Sequence, residues 1–271
     1  MYYEQIVEAK DFICSKTTLR PQIAIILGSG LSALAEDIED KMVIPYKEIP
    51  NFPLSTVEGH AGNLVIGKLN GKEIICMQGR FHYYEGYSMQ QVTFPVRVMQ
   101  LLGVNTLIVT NAAGGVNKTF ATGDIMLITD HISRMPNPLV GRNDERLGTR
   151  FPSMSEVYDR GLISCAENIA KQENITIKKG VYVGNTGPSF ETKAEYIMFR
   201  TLGISAVGMS TVPEVIVAAH AGMKVLGFSV ISNVFNEDIE EEPSHIEVLQ
   251  NVEKANSNLV KILKGVLEDI A

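Results

Sequence analysis

Apolar residues recur at helical spacing near the amino terminus. Ile6, Val7, Ala9, Phe12 and Ile13 fall on one stripe of residues 4–15, which predicts an amphipathic helix. Pro21 then introduces IAIIL (23–27), an unbroken apolar run of strand length that ends in Gly28-Ser29-Gly30. Residues 64–77, LVIGKLNGKEIICM, hold two apolar runs around Asn70-Gly71, the two-residue signal of a hairpin. The second half repeats one unit: a helical stretch closes on Leu-Gly or Ala-Gly and an apolar strand follows, at 101–111, 202–210 and 221–233. Glycine stops a helix there because it tolerates positive φ. Helix alternating with buried strand predicts an α/β fold, a single domain over residues 1–271 with helices flanking a central mixed, largely parallel β-sheet. From His245 onward, Val248, Leu249, Val252, Leu259, Leu263, Val266 and Leu267 mark a long amphipathic helix.

This layout says where to look for chemistry, because open α/β sheets bind ligands beyond the carboxyl ends of their strands. Ser29, Asn111, Ser210 and Asn233 stand where an apolar run turns polar. Each alone is as readily a helix cap or turn former. Four at equivalent positions favour a shared site.

Composition narrows the field. With 271 residues, 45% of them hydrophobic, the chain has enough apolar surface for a large core. A net charge of -7 and a pI near 5.3 lack the basic footprint of a nucleic-acid binder, so an anion would be held in a local pocket. Cys14, Cys76 and Cys165 are far apart with no metal-ligand spacing, and read as buried or idle reduced thiols. Glu4, Glu8, Lys10 and Asp11 interrupt any secretory signal, and no apolar run reaches transmembrane length, so a cytoplasmic location is expected.

Several motifs carry candidate chemistry. Gly28-Ser29-Gly30-Leu31, between a strand and an expected helix, can turn backbone N–H groups and a hydroxyl toward an anion. With Ala33 it also reads G-x-G-x-x-A, a weak dinucleotide signal. Glu48 has the offset of the acid such a unit requires, yet Pro45, Pro50 and Pro53 argue against a central strand there. In GRFHYYEGY (79–87), Arg80 offers a planar donor fork for phosphate, His82 a further donor, and Tyr84 a ring or hydroxyl for a sugar; a surface loop is the plainer alternative. His60, beside a glycine, is taken alone as structural. TNAAGG (110–115) lets the backbone approach a ligand, or a helix pack closely on a sheet. In GPSFET (187–192), Glu191 is either a site carboxylate or a cap of the following helix, and Phe190 either a site aromatic or core.

In this order, ILGSGL (26–31), VEGHAG (57–62), GRFHYYEGY (79–87), TFPVRV (93–98), VTNAAGG (109–115), GDIMLITDHI (123–132), NDERLGTRFPSMSEVYD (143–159), GPSFET (187–192), AVGMSTVPEV (206–215) and GFSVISN (227–233), with His245, make the chain resemble the trimeric class of purine nucleoside phosphorylases. The resemblance covers nearly the whole chain. It implies reversible phosphorolysis of (deoxy)ribonucleosides in purine salvage, a pentosyltransferase reaction with phosphate as co-substrate and no cofactor or metal. Carried over residue by residue, it implies a phosphate site of Ser29, Arg80, His82, the backbone at Ala112, and Ser210, with His60 near it. The sugar site falls on Tyr84, Met209 and His245, and the purine site on Phe190, Glu191, Val207 and Asn233. Glu191, Asn233 and His82 are the implied catalytic groups. Phe151 resembles the aromatic lent across a subunit boundary, which implies a homotrimer. Two departures stand out: SRMPNPLVGR (133–142) is shorter than in animal members, and the acidic VFNEDIEEEPS (234–244) is expected to form a mobile flap near the base.

A carboxylate opposite purine N1–H with an amide opposite O6/N7 suits 6-oxopurines, hence inosine and guanosine. The related methylthioadenosine phosphorylases have an acid where this chain has Asn233, which argues against that runner-up. An NAD-dependent oxidoreductase lacks its second strand, and a nucleoside sensor has no need of phosphate contacts.

Overall fold

Strand β1 (Ile23–Leu27) is buried at all five positions, as its unbroken apolar run requires. It lies between β4 (Lys72–Gln78) and β5 (Thr106–Gly115), parallel to both. Its side chains alternate between two cores, because successive residues of a strand face opposite ways. Ala24 and Ile26 join α1 (Tyr2–Lys16), α3 (Phe94–Leu102) and α6 (Val212–His220); Ile23, Ile25 and Leu27 join α4 (Arg160–Gln172) and α7 (His245–Asp269). Each such aliphatic side chain, fully buried, contributes about 1.5–3 kcal/mol. The computed structural model describes residues 1–57, 60–235 and 245–270, the side chains of 245–247 excepted.

The expected hairpin is β3 (Asn63–Leu69) against β4, joined by Asn70 and Gly71 at φ 48° and 73°, the positive values a two-residue turn of this twist demands. An edge strand, β2 (Glu39–Pro45), pairs antiparallel with β3 and ends at its proline. The helix-stopping glycines behave as the repeats predict: Gly103, Gly203 and Gly222 have φ of 96°, 77° and 73°.

Among the described residues, nine strands form one mixed sheet in the order β2-β3-β4-β1-β5-β8-β7-β6-β9, with a further pairing of β9 (Lys224–Val234) to β5. That pairing closes β5, β8 (Ile204–Gly208), β7 (Ile177–Gly184), β6 (Ile125–Ser133) and β9 into a ring. Two short helices complete the fold, α2 (Met89–Val92) and α5 (Lys193–Thr201). The segment after Gly28-Ser29-Gly30 corrects an expectation: no α-helix starts there, but a 3-10 segment, Ser32–Asp37, that tucks Leu34 and Ala35 into the core with α7. The glycine turn is therefore not a helix N-terminus. Among the described residues, no helix is long and apolar enough to cross a membrane.

Candidate active site

A cleft opens where the carboxyl ends of β1, β5, β8 and β9 meet. Ser29, Asn111, Ser210 and Asn233, the four polar strand ends, all line it, together with Arg80, His82, Tyr84, Ala112, Phe190, Glu191, Val207 and Met209.

One end is built around Arg80, a guanidinium only 2% exposed. Nε donates to Glu214 Oε1 at 2.9 Å, and Nη1 donates to the Thr110 carbonyl at 2.7 Å and to Ser210 Oγ at 3.2 Å. Nη2 is buried with no hydrogen-bond partner among the described residues. A buried donor left over in a lined cleft is a receptor for an acceptor-rich anion. Ser210 is held by an uncommon backbone feature. Thr211, fully buried, has φ 71° and ψ −52°, and the Val212 N–H donates to the Ser210 carbonyl at 2.7 Å. This is a γ-turn of the positive-φ kind, rare for a β-branched residue. Asn111 Nδ2 donates to Thr211 Oγ1 at 2.8 Å and ties β5 to the turn.

Beside Arg80, the rings of His60, His82 and Tyr84 stack in sequence, with centroids 5.4 and 4.7 Å apart. Gly79, at φ 100°, admits this packing, because a Cβ there would sit 2.6 Å from His60. His60 Nε2 lies 3.1 Å from Ser29 Oγ, and its Nδ1 lies 3.1 Å from the Arg80 carbonyl and 3.3 Å from the Arg80 N–H. Either tautomer finds a partner, so Nε2 can accept from the Ser29 hydroxyl or donate to it and leave its proton for an anion. Burial, then the neighbouring His82 and Arg80, push His60 down to about 3, so the ring is neutral. His82 Nδ1 sits 3.1 Å from Glu85 Oε1. Burial alone would raise the Glu85 carboxyl, but hydrogen bonds from His82 and Thr56 hold it at about 2.

At the other end, Asn185 Nδ2 donates to Glu191 Oε1 at 2.7 Å. Glu191 is not the cap of α5: Thr192 and Glu195 form that capping box, which leaves the Glu191 carboxylate to the cleft. The single hydroxyl proton of Ser232 is shared between Asn233 Oδ1 at 2.9 Å and the Ala113 carbonyl at 3.2 Å. With Oδ1 accepting from Ser232, Nδ2 is the donor end of the Asn233 amide. Phe190, which follows a cis Gly187–Pro188 bond, is 48% exposed and so is not core, whereas Val207 is buried.

Two expected residues stand apart. Phe151 is 85% exposed and lines a different cleft with His131, Leu139 and Arg150; within one subunit it does not reach the first. His245 opens α7, but its side chain lies outside the described residues, as do residues 236–244 of the expected flap. Val248, one turn further along α7, does line the cleft.

Sequence reasoning missed Glu214 and Tyr196. Glu214 is a lone acid in the otherwise apolar VPEVIVAAH, and an acid in such a stretch demands a buried partner, here Arg80. Tyr196, between Glu191 and Asn233 in sequence, lines the cleft and is 6% exposed. Burial pushes its phenol far up. Its spacing from Phe199 on α5, both buried, was the available signal of an inward face. The described residues contain no group of side chains suited to a metal.

Residues 22–268 match the phosphorylase superfamily. The chain is 54% identical to purine nucleoside phosphorylase 1 of Geobacillus stearothermophilus over 98% of this chain and 97% of that one. Crystal structures of the Schistosoma mansoni purine nucleoside phosphorylase with inosine and with adenosine superpose at a TM-score of 0.94 with 42% identity. Both cover 99% of this chain, and 97% and 98% of theirs.

Proposed function

The chain belongs to the phosphorylase superfamily, among its purine nucleoside phosphorylases, and from that premise we propose that it splits 6-oxopurine nucleosides, inosine and guanosine, with inorganic phosphate into the base and (deoxy)ribose 1-phosphate. One observation carries this reading. A single cleft holds buried donors for an anion at one end and a carboxylate–amide pair at the other.

In this reading Arg80, His82, Ser29, Ser210 and the backbone at Ala112 hold phosphate against C1′, with His60 behind Ser29. Holding the two reactants together makes the step effectively unimolecular. Tyr84 and Met209 flank the sugar, with His245 toward its 5′-hydroxyl, and Phe190 and Val207 enclose the purine. The C1′–N9 bond breaks with its electron pair staying on the purine, a phosphate oxygen bonds to the oxocarbenium-like C1′, and the released base takes a proton from solvent. Glu191 accepts from N1–H while Asn233 Nδ2 donates to O6 or N7, so charge growing on the purine meets prepositioned partners. No cofactor is called for, since phosphate itself is the nucleophile.

Adenine has no N1 proton and presents a 6-amino donor, so adenosine is expected to turn over poorly. The adenosine held by the Schistosoma mansoni relative is occupancy, and the prediction concerns turnover. We read residues 1–271 as one domain acting as a homotrimer in which Phe151 completes a neighbour's sugar site; its exposure without a role in its own subunit supports this. Three free thiols suit a cytoplasmic, reducing setting.

The test is incubation with inosine, with and without phosphate, following hypoxanthine and ribose 1-phosphate. Phosphate-dependent formation of both is expected. Hypoxanthine release without phosphate would mark a hydrolase, and equal turnover of adenosine and inosine would remove the 6-oxopurine assignment.

A further inference from the structure

Thr211 gives up two local preferences at once. It is the N-cap of α6, where a threonine hydroxyl ordinarily accepts from a backbone N–H of the first turn, yet it makes no such bond. Its φ of 71° is one that glycine adopts freely and a β-branched residue rarely does. The side chain is fully buried, and its hydroxyl meets two groups instead: Asn111 Nδ2 at 2.8 Å and Ser210 Oγ at 3.1 Å.

Asn111 Nδ2 is a donor, so Thr211 Oγ1 accepts from it. Arg80 Nη1 is also a donor only, and Ser210 Oγ accepts from it at 3.2 Å. The contact between the two hydroxyls is the one whose direction the partners leave open. If Ser210 donates, the Thr211 proton is stranded in the core, because among the described residues Thr211 Oγ1 has no further partner. A buried donor without an acceptor carries its full desolvation cost. If Thr211 donates, its proton is paired, and Ser210 Oγ has accepted twice, from Arg80 and from Thr211. A hydroxyl has two acceptor sites and one proton. The proton of Ser210 is then the one left over, and Ser210 lines the cleft. In this order Ser210 meets an anion with a proton; in the reverse order it would meet it with a lone pair.

We propose that Thr211 is a positioning residue for the anion end of the cleft: its hydroxyl, filled by Asn111 and donating to Ser210, keeps Ser210 a donor toward phosphate. This rests on the assignment of Ser210 to phosphate given above. It also explains why the turn holds a threonine where glycine would be unstrained. The base end has no part in the relay, so breaking it is expected to touch phosphate alone.

Thr211→Val keeps the branched shape and removes the hydroxyl, whereas Thr211→Ser keeps the hydroxyl. Thr211→Ala, which also lacks it and is less crowded at positive φ, reads the same quantity if the valine variant does not fold. Calorimetric titration with inorganic phosphate and with hypoxanthine, and kinetics varying phosphate and inosine in turn, provide the readouts. Expected in Thr211→Val are a loss of about tenfold in phosphate affinity and a matching rise in KM for phosphate. Hypoxanthine affinity and the KM for inosine stay at wild-type values, and Thr211→Ser retains phosphate affinity. In a Ser210→Ala background, Thr211→Val is expected to cost no further phosphate affinity, because Thr211 acts only through that hydroxyl. A merely structural role would cost the same in either background. Wild-type phosphate affinity in Thr211→Val, a serine variant as weak as the valine one, or the full loss repeated in the Ser210→Ala background overturns this role for Thr211. If Ser210→Ala alone leaves phosphate affinity intact, the assignment of Ser210 fails and the role of Thr211 falls with it, so the two failures are distinguishable.

Discussion

The two ends of the cleft are built on different physical plans. The anion end is a buried charge pair: Arg80 and Glu214, each 2% exposed, meet at 2.9 Å, and Arg80 also ties β5 to the turn before α6. The end proposed to read the base rests on two separate directional hydrogen bonds, Asn185 to Glu191 and Ser232 to Asn233, with Phe190 half open to solvent. In the proposed reading the contrast follows from the ligands. A multiply charged anion must find its donors already desolvated and in place, because an uncompensated charge costs several kcal/mol. A flat neutral base must enter and leave, and needs only a few groups in register. The phosphate end should therefore be fused to the stability of the fold, and the base end nearly independent of it.

The most forceful way to break that contrast is Arg80→Met. It leaves Glu214 charged and buried, so a loss of about 3–5 kcal/mol in stability is expected from urea unfolding, together with loss of phosphate binding. The double change Arg80→Met with Glu214→Leu removes both charges and should recover much of the stability without restoring phosphate affinity. Recovery of both would show that the pair does not serve the anion. Next in size, Asn233→Ala should lower turnover of inosine about a hundredfold. Phosphate affinity and stability should hardly change, and a large loss of either would join the two ends that the structure keeps apart.

The smallest effect concerns pH. His60 is held neutral in the folded chain down to about 3, whereas an unfolded histidine titrates near 6.5. Between those values the unfolded state binds the extra proton, so stability should fall as pH drops below about 6.5 and keep falling toward 3. In His60→Gln the slope of unfolding free energy against pH should flatten in that window. An unchanged slope would mean that His60 is protonated in the native protein.

Much of this was legible in the residues. β1 was readable because burial on both faces leaves no polar position, and the hairpin because Asn70-Gly71 suits only a tight turn. The strand ends marked the cleft, since polarity appears where a chain leaves the core. What was not legible depends on packing at a distance. The 3-10 segment after Gly30 is set by the fit of Leu34 and Ala35 under α7, which no local pattern encodes. Glu214 gains its role only from a partner 134 residues away, and Tyr196 only from the cleft it lines. The exposure of Phe151 has no explanation inside one subunit.

The ring of five strands has a weak link. β5 and β8 meet through only two residue pairs in register, Gly114 with Val207 and Gly115 with Ala206, whereas β5 and β9 pair along ten residues. That short join is a latch. The chain on both sides of it feeds the cleft: Ala112 and Gly114 from one strand, Val207 in the other and Met209 just past its end. Amide protons at the latch should exchange with deuterium sooner than those of β1, and a bound base and phosphate should slow them most, because ligands that bridge the two strands fasten the ring shut.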